Sequence, residues 1–160
     1  MAELSHIHGI EFDPSDGSAL LATHHGVFRF KPGDLAVLIS PDRADYMAFI
    51  LTSAGAAIAS GHPESGGNIG VITSPDFGVT WTKLSDGADG PVDFHAIADA
   101  SNDPAILIGL YQGGIQASTD GGKTWAWSED APSETRLVAV TQDSAVLESM
   151  DGGGSWSPLE

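Results

Sequence analysis

One eight-residue motif recurs three times in this chain and constrains the fold more than any other feature. The copies are Ser74–Trp81, Ser118–Trp125 and Ser149–Trp156, and all fit S-x-D-x-G-x-[S/T]-W, hereafter the box motif. Self-similarity at a spacing of tens of residues is typical of repeat architectures, in which each repeat is one supersecondary unit. The chain is therefore predicted to be an array of similar units.

Each residue type in the box motif has a physical reason to be there. The aspartate accepts hydrogen bonds from backbone N–H groups of a tight turn, and the glycine adopts positive φ without steric cost. The tryptophan covers the adjoining hairpin with a large apolar ring. The motif is thus predicted to be a structural β-hairpin turn and not an active site.

Short β-rich runs bounded by Gly, Pro, Asp and Asn predict the strands around the boxes. They form one all-β domain over residues 1–160, with units at about 6–40, 45–87, 93–131 and 135–160. Three units have four strands each, and the fourth has three. The predicted strands are 6–12, 19–24, 26–31, 35–39, 45–51, 55–60, 68–74, 81–84, 93–99, 105–110, 113–118, 125–128, 136–141, 145–149 and 156–159.

The box motif resembles the Asp-box (BNR) repeats of sialidase-like, sortilin-like and photosystem-assembly β-propellers. The flanking phrases His-Ile-His-Gly (6–9), Ala-Thr-His-His-Gly (22–26), Ser-Gly-His-Pro (60–63) and Asp-Phe-His-Ala (93–96) are similar to bacterial BNR-repeat proteins often labelled glycosyl-hydrolase-like. The resemblance implies β-propeller blades of four antiparallel strands, three complete and a fourth shortened. It also implies that the box lies between the third and fourth strands of a blade.

The spacing of the boxes is uneven, since Ser74 to Ser118 is 44 residues and Ser118 to Ser149 is 31. About one strand and its turn are missing from the last unit. Propellers usually have about four to eight blades, and an open blade edge is an aggregation hazard. We therefore expect either an unusually small closed propeller or a homo-oligomer in which two chains complete a larger ring.

The charge of the chain excludes some partners. Twenty-two acidic and six basic side chains give a net charge of −16, which disfavours binding to nucleic acid or anionic lipid. No apolar run is long enough for membrane insertion, and the N-terminus has neither the basic nor the apolar region of a signal peptide. Cysteine is absent, which excludes disulfides and thiolate ligands. The compartment stays open.

All six histidines fall on one predicted surface, at the mouth of the propeller channel. Aligning the innermost strands places His6, Asp45 and Asp93 in one register and His8, Met47 and His95 in another. Because strand side chains alternate with period two, both registers project from the same side, opposite to Ile7, Tyr46 and Phe94. The ends of the second strands add further polar groups to this face: His24, His25, His62 and Tyr111.

This surface is predicted to be a polar pocket that binds a transition metal or a small ligand. The candidate metal ligands are His6, His8, His25, His62, His95 and Met47, and the candidate ligand-binding residues are Asp45, Asp93, Tyr111 and His24. Imidazole and carboxylate donors suit zinc, copper, nickel or iron, and a thioether favours copper. Histidines also serve as general acids or bases near neutral pH. The structural alternative is that the imidazoles hydrogen-bond strand ends around a water-filled channel.

An enzymatic role is the alternative to a binding scaffold. The resemblance to sialidases implies three arginines that bind the substrate carboxylate, but this chain has only Arg29, Arg43 and Arg136, and Arg29 is predicted away from the mouth. Sialidase activity is therefore not expected. A glycosidase of another kind needs two carboxylates across a sugar, and Asp45 and Asp93 are the one pair predicted at the mouth. The sequence thus favours a non-enzymatic scaffold, with a glycoside hydrolase-like enzyme as the alternative.

Overall fold

The computed structural model describes residues 4–100, 103–128, 137–140, 146–151 and 155–159. No helix in these ranges is long and apolar enough to cross a membrane. The described residues form fifteen strands: β1 (Ile7–Phe12), β2 (Ala19–Thr23), β3 (Gly26–Phe30), β4 (Val37–Leu38), β5 (Asp45–Leu51), β6 (Ala57–His62), β7 (Val71–Ser74), β8 (Thr82–Ser85), β9 (Ala96–Ala100), β10 (Asp103–Tyr111), β11 (Gly114–Ser118), β12 (Ala126–Trp127), β13 (Leu137–Val140), β14 (Val146–Ser149) and β15 (Ser157–Pro158).

The strands pair into four antiparallel sheets that follow the chain order. Sheets 1, 2 and 3 are β1-β2-β3-β4, β5-β6-β7-β8 and β9-β10-β11-β12, and sheet 4 is the three-stranded β13-β14-β15. Every connection within a sheet joins sequence neighbours, as hairpin repeats require. The predicted all-β class, with three four-stranded units and a shortened fourth, is confirmed.

Sheets 1, 2 and 3 stack face against face. Leu20, Ala22 and Val27 of sheet 1 pack with Tyr46 and Phe49 of sheet 2 in one buried cluster. The opposite face of sheet 2 contributes to a second cluster, which it shares with sheet 3. Its buried members are Ala48, Ile58, Val71, Val92, Phe94, Ile97, Leu107 and Trp125. Burial of apolar area between successive sheets is therefore what holds these sheets together.

The box turns have the predicted chemistry. Asp76 accepts the Thr80 backbone N–H at 2.7 Å and the Thr80 hydroxyl at 2.7 Å, and Asp151 makes the same two contacts with Ser155. Gly78 has a φ of 98°, as the predicted turn requires. The third box glycine, Gly153, lies outside the described residues.

Each of the first two box tryptophans fills the seam between its own sheet and the preceding one. Trp81 of sheet 2 packs on the cluster that joins sheets 1 and 2. Trp125 of sheet 3 lies in the cluster shared with sheet 2, and its indole N–H lies 3.2 Å from Ser85 Oγ of that sheet. The box therefore closes a hairpin and also ties neighbouring sheets together.

One edge of the stack collects the starts of innermost strands and the ends of second strands, and we call it the mouth edge. Asp45 at the start of β5 pairs with His62 at the end of β6, and Ile7 pairs with Thr23. Ala57, at the other end of β6, pairs with Ser74, where a box begins. The boxes therefore lie at the edge opposite to the mouth.

Two details at the mouth edge differ from the strand predictions. The predicted strand 93–99 begins only at Ala96, because the preceding segment bonds to the neighbouring sheet: the Phe94 N–H donates to Ser60 Oγ, and Ser60 Oγ donates to the Val92 carbonyl. In β1 and β5 the register shifts at His8 and at Met47, so each strand carries a bulge at the same place. A bulge interrupts the alternation of side chains with period two.

Ile7 is exposed, whereas its counterparts Tyr46 and Phe94 are buried in the clusters between neighbouring sheets. Opposite the bulge of β5 lies Gly61, where a Cβ would come within 1.9 Å of the Asp45 carbonyl oxygen. Only glycine permits this close approach of the two backbones. Gly61 thus fixes the backbone that carries Asp45.

Candidate functional site

The first group of polar side chains at the mouth edge is centred on Asp45. His24 Nδ1 lies 3.2 Å from Asp45 Oδ2, and His8 Nε2 lies 3.7 Å from Asp45 Oδ1. One donor atom from each residue lies within 4.8 Å of the other two. In the described part of the chain no other set of three His, Cys, Asp or Glu side chains meets this condition. We call these residues the Asp45 group.

Two atoms of the Asp45 group are buried without a hydrogen-bond partner, His8 Nε2 and Asp45 Oδ1. They face each other at a distance too long for a hydrogen bond. Buried polar atoms in native proteins are nearly always paired, because an unpaired one costs about 1–3 kcal/mol. The gap between these two atoms is therefore the place in the group where a further atom would be stabilised.

The surroundings of His8 favour the neutral form of its imidazole. Burial lowers the pKa of His8, the Asp45 carboxylate opposes this effect, and electrostatic interactions with His24, His6 and His95 lower the pKa further. A neutral imidazole is the form that binds metal ions. The group therefore combines a carboxylate with an imidazole in its ligating form.

His6 completes the surroundings of the Asp45 group. Its ring centroid lies 4.7 Å from that of His24, and the His8 ring centroid lies 4.6 Å from that of His24. His6 precedes β1 and has a φ of 48°, an uncommon conformation for a residue other than glycine. His6 is thus joined to the Asp45 group through the ring of His24.

The second group is centred on Asp93 and has a different geometry. Asp93 Oδ2 lies 2.7 Å from His62 Nε2 and 3.0 Å from His95 Nε2, whereas Oδ1 is buried without a partner. The other nitrogen of His62 lies 2.8 Å from the Gly67 carbonyl oxygen. The side chain of Asp93 is only 6% exposed. We call Asp93, His62 and His95 the Asp93 group.

A cavity of about 590 Å³ opens beside the Asp93 group. The Tyr111 hydroxyl at its wall accepts hydrogen bonds from the side-chain amides of Asn68 and Gln112, each at 3.1 Å. The Tyr111 ring packs edge-on against buried Phe94, which fixes its orientation. The full lining is His62, Asn68, Asp93, His95, Leu110, Tyr111, Gln112 and Gly113.

The structure brings most of the predicted site residues together, in two groups and not in one. His6, His8, His24 and Asp45 form the first cluster, and His62, His95, Asp93 and Tyr111 form the second. His25 lies exposed in the turn after β2, where its backbone N–H donates to Thr23 Oγ1. Met47 is the half-buried bulge residue of β5. Neither side chain takes part in the polar contacts described above.

The sequence did not single out Asn68, Leu110, Gln112 or Gly113 as lining residues. Asn68 follows the pair Gly66-Gly67, and Gln112 lies in the turn after β10 with a φ of 50°. For Gln112 the available signal was a polar residue directly after a strand that ends at the mouth edge, whereas Asn68 lies in the loop between β6 and β7. It is weak, because turns favour polar residues anyway.

Comparisons with known proteins bear on the fold. No protein-family model and no curated protein matches the sequence. The similar solved structures include an ancestral GH74 enzyme (TM-score 0.62, 13% identity, 96% of this chain and 25% of that one), the GH74 xyloglucanase from Xanthomonas campestris (0.61, 18%, 95% and 30%) and YCF48 from Cyanidioschyzon merolae (0.58, 17%, 99% and 57%).

These neighbours are β-propellers, which confirms that the sheets of this chain are propeller blades. The chain spans a quarter to just over half of the length of the three structures. At identities of 13–18% the likeness shows the fold alone. Function has to be argued from the mouth-edge groups.

Proposed function

We propose that this chain is a non-enzymatic β-propeller scaffold that binds a transition metal ion through His8, His24 and Asp45. The observation that carries the proposal is the pair of buried, unpartnered atoms, His8 Nε2 and Asp45 Oδ1, beside His24 Nδ1. Two imidazoles and a carboxylate are a common ligand set for divalent transition metals such as zinc, copper and nickel. A small movement of the three side chains towards one another would bring their donor atoms to the distances at which they share one ion.

His6 is proposed as the neighbouring imidazole that completes the ligand set. Its ring packs on the His24 ring. A tetrahedral ion needs four donors, and His8, His24 and Asp45 supply three. Of the other predicted metal ligands, His62 and His95 contact Asp93, while His25 and Met47 lie outside the Asp45 group. The proposal therefore narrows the predicted ligands to four residues of sheets 1 and 2.

Isothermal titration of tag-free, EDTA-treated protein with Zn²⁺, Cu²⁺ and Ni²⁺ tests the metal site. We expect one ion per chain, with Cu²⁺ bound most tightly. Loss of hydrogen-bond partners around metal ligands typically costs about 10- to 100-fold in affinity, so loss of a ligand in His8→Ala or His24→Ala should cost at least as much.

His25→Ala is the matched control, because His25 is adjacent in sequence but exposed and outside the group. Its affinity should equal that of the unmodified protein. Absence of binding by the folded protein would contradict the proposal. An equal loss in the His25→Ala and His24→Ala variants would contradict it as well.

The alternative function is a glycoside hydrolase-like enzyme that uses Asp45 and Asp93. Two of the similar structures are GH74 enzymes, one of them a xyloglucanase. We favour binding because each carboxylate faces two histidines, and this differs from a pair of carboxylates that stand free on either side of a sugar. Hydrolysis of xyloglucan or of chromogenic glycosides, abolished in both Asp45→Asn and Asp93→Asn, would favour the enzyme.

We also propose that the chain belongs to the Asp-box repeat proteins and that a second copy packs on sheet 1. The face of sheet 1 opposite to sheet 2 carries Ile10 and Phe12, which are 56% and 66% exposed, beside a buried cluster of Ala19, Leu21 and Phe28. Such a face is normally covered by another blade, because exposed apolar patches favour association. Light scattering should give twice the mass of one chain, and the mass of a single chain would contradict the pairing.

A further inference from the structure

The seam between sheets 2 and 3 is joined by hydrogen bonds at both edges of the stack. Towards the mouth edge the Phe94 backbone N–H donates to Ser60 Oγ at 2.9 Å, and Ser60 Oγ donates to the Val92 carbonyl oxygen at 3.3 Å. At the opposite edge the Ser53 backbone N–H donates to Asp99 Oδ2 at 2.9 Å. These bonds hold sheet 3 on sheet 2 in addition to the apolar contacts of their shared cluster.

The seam between sheets 1 and 2 has fewer polar contacts. In the described part of the chain, the side-chain polar contacts between the strands of these two sheets are those of His8 and His24 with Asp45 and that of the Glu11 carboxylate with the Leu51 backbone. Burial raises the pKa of Glu11 more than the bond from Leu51 lowers it. Apart from the buried apolar cluster, the Asp45 group is therefore the main connection between sheets 1 and 2.

This connection is incomplete in its own side-chain contacts. His8 Nε2 on β1 and Asp45 Oδ1 on β5 are both buried, and they lie 3.7 Å apart without a hydrogen-bond partner. The imidazoles of the proposed metal site lie in or next to β1 and β2, whereas its carboxylate begins β5. An ion bound by His8, His24 and Asp45 would therefore be bonded to both sheets.

From these contacts we infer that the metal ion regulates the docking of sheet 1: when bound it holds sheet 1 on sheet 2, and its removal lets sheet 1 open while sheets 2 and 3 stay together. The inference rests on the proposed metal site. In a stack of repeats each unit contacts only its neighbours, so one unit can open without the others.

The size of the effect follows from mass action. An ion that binds only the closed form suppresses opening by a factor of 1 + [M]/Kd, which is about 100-fold when the free ion is at about 100 times Kd. Imidazoles that keep some affinity for the ion after sheet 1 has opened reduce this factor. We therefore expect opening of sheet 1 to be suppressed about 10- to 100-fold.

Hydrogen exchange followed by mass spectrometry tests the inference on EDTA-treated protein with and without Zn²⁺ at about 100 times the Kd from calorimetry. Exchange of the backbone amides of β2 and β3 should slow about 10- to 100-fold on addition of Zn²⁺. Exchange in β10 and β11 of sheet 3 should change less than twofold, because opening of sheet 1 does not expose these strands.

Two variants separate a link across the seam from stabilisation of sheet 1 alone. Asp45→Ala removes the donor of sheet 2 and keeps the imidazoles of sheet 1, so at matched Zn²⁺ occupancy most of the slowing in β2 and β3 should be lost. His25→Ala is the matched control, because His25 is exposed and outside the Asp45 group, and should slow as the unmodified protein does. Slowing in Asp45→Ala as large as in the unmodified protein would overturn the inference.

Trypsin cleavage of the unmodified protein gives a second measurement that needs no variant. Arg29 lies in β3 and its guanidinium donates to Asp13 Oδ2 at 2.7 Å, so cleavage after Arg29 requires sheet 1 to open. Lys123 is exposed in a box turn of sheet 3. Zn²⁺ should slow cleavage after Arg29 and leave cleavage after Lys123 unchanged.

Failure of this inference is distinguishable from failure of the metal proposal, because calorimetry on the same sample reports binding by itself. Zn²⁺ that binds but leaves exchange in β2 and β3 unchanged would overturn the inference and leave the metal site in place. Equal slowing in sheets 1 and 3 would also overturn it, because the ion then stabilises the whole chain. Absence of Zn²⁺ binding would overturn both proposals.

Discussion

Replacement of Asp120 by alanine removes the centre of the second box turn. Its carboxylate accepts hydrogen bonds from the Ser118 hydroxyl at 2.9 Å and from the Lys123 backbone N–H at 3.0 Å. It also accepts the Thr124 backbone N–H at 2.9 Å and the Thr124 hydroxyl at 2.7 Å. All four bonds are lost in Asp120→Ala.

The expected cost follows from these bonds and from their exposure. Four bonds at about 0.5–1.5 kcal/mol each give an upper range of about 2–6 kcal/mol. In Asp120→Ala, water hydrogen-bonds to the exposed Thr124 and Lys123 groups in place of the carboxylate. We therefore expect the free energy of unfolding to fall by about 2–3 kcal/mol. The Ser118 hydroxyl is buried and has no such substitute, so its bond should contribute most.

The pKa of Asp120 gives a second estimate of the stability that its hydrogen bonds contribute. Partial burial raises the pKa, but the bonds from Thr124, Ser118 and Lys123 outweigh it and lower the pKa from 3.8 to about 2. Because the folded pKa is depressed, the unfolded chain takes up the proton first as the pH falls. The stabilisation is thus complete above about pH 4 and is lost towards about pH 2. After allowance for solvent screening it amounts to about 1–2 kcal/mol.

Urea unfolding followed by tryptophan fluorescence measures the effect at pH 7 and at pH 2.5. We expect Asp120→Ala to lose about 2–3 kcal/mol at pH 7 and less at pH 2.5, and Asp120→Asn to lose an intermediate amount. Asp103→Ala is the control, because exposed Asp103 accepts a single backbone bond, from Ala105, and should lose under about 1 kcal/mol. A loss in Asp120→Ala no larger than in Asp103→Ala would refute the reasoning.

Two further predictions concern the mouth edge and the outer face of sheet 1. Gly61→Ala should lower the free energy of unfolding by about 1–3 kcal/mol and weaken metal binding, because the new Cβ meets the Asp45 carbonyl oxygen; Gly55→Ala, with open space around its Cβ, should leave metal binding unchanged in the same titration. Phe12→Ser should reduce the mass measured by light scattering to that of one chain, whereas Val79→Ser at a box turn should not; a mass that stays doubled in Phe12→Ser would contradict the packing of a second copy on sheet 1.

The sequence by itself determined the features that depend on short stretches of chain. The box turns were predictable because aspartate, glycine and tryptophan interact within eight residues, and the hairpin strands followed from the spacing of turn residues. The placement of the histidines near one edge was also predictable, because in antiparallel pairs the start of one strand lies beside the end of the next. These features require only local geometry and strand alternation.

The division of the histidines between two carboxylates was decided only by the tertiary structure. His8 and His24 reach Asp45 across the seam between sheets 1 and 2, and His62 reaches Asp93 across the next seam. Such contacts depend on how far one sheet is offset from the next, and side-chain packing sets this offset, not the pattern within a strand. The bulges at His8 and Met47 changed the alternation on which the predicted registers relied.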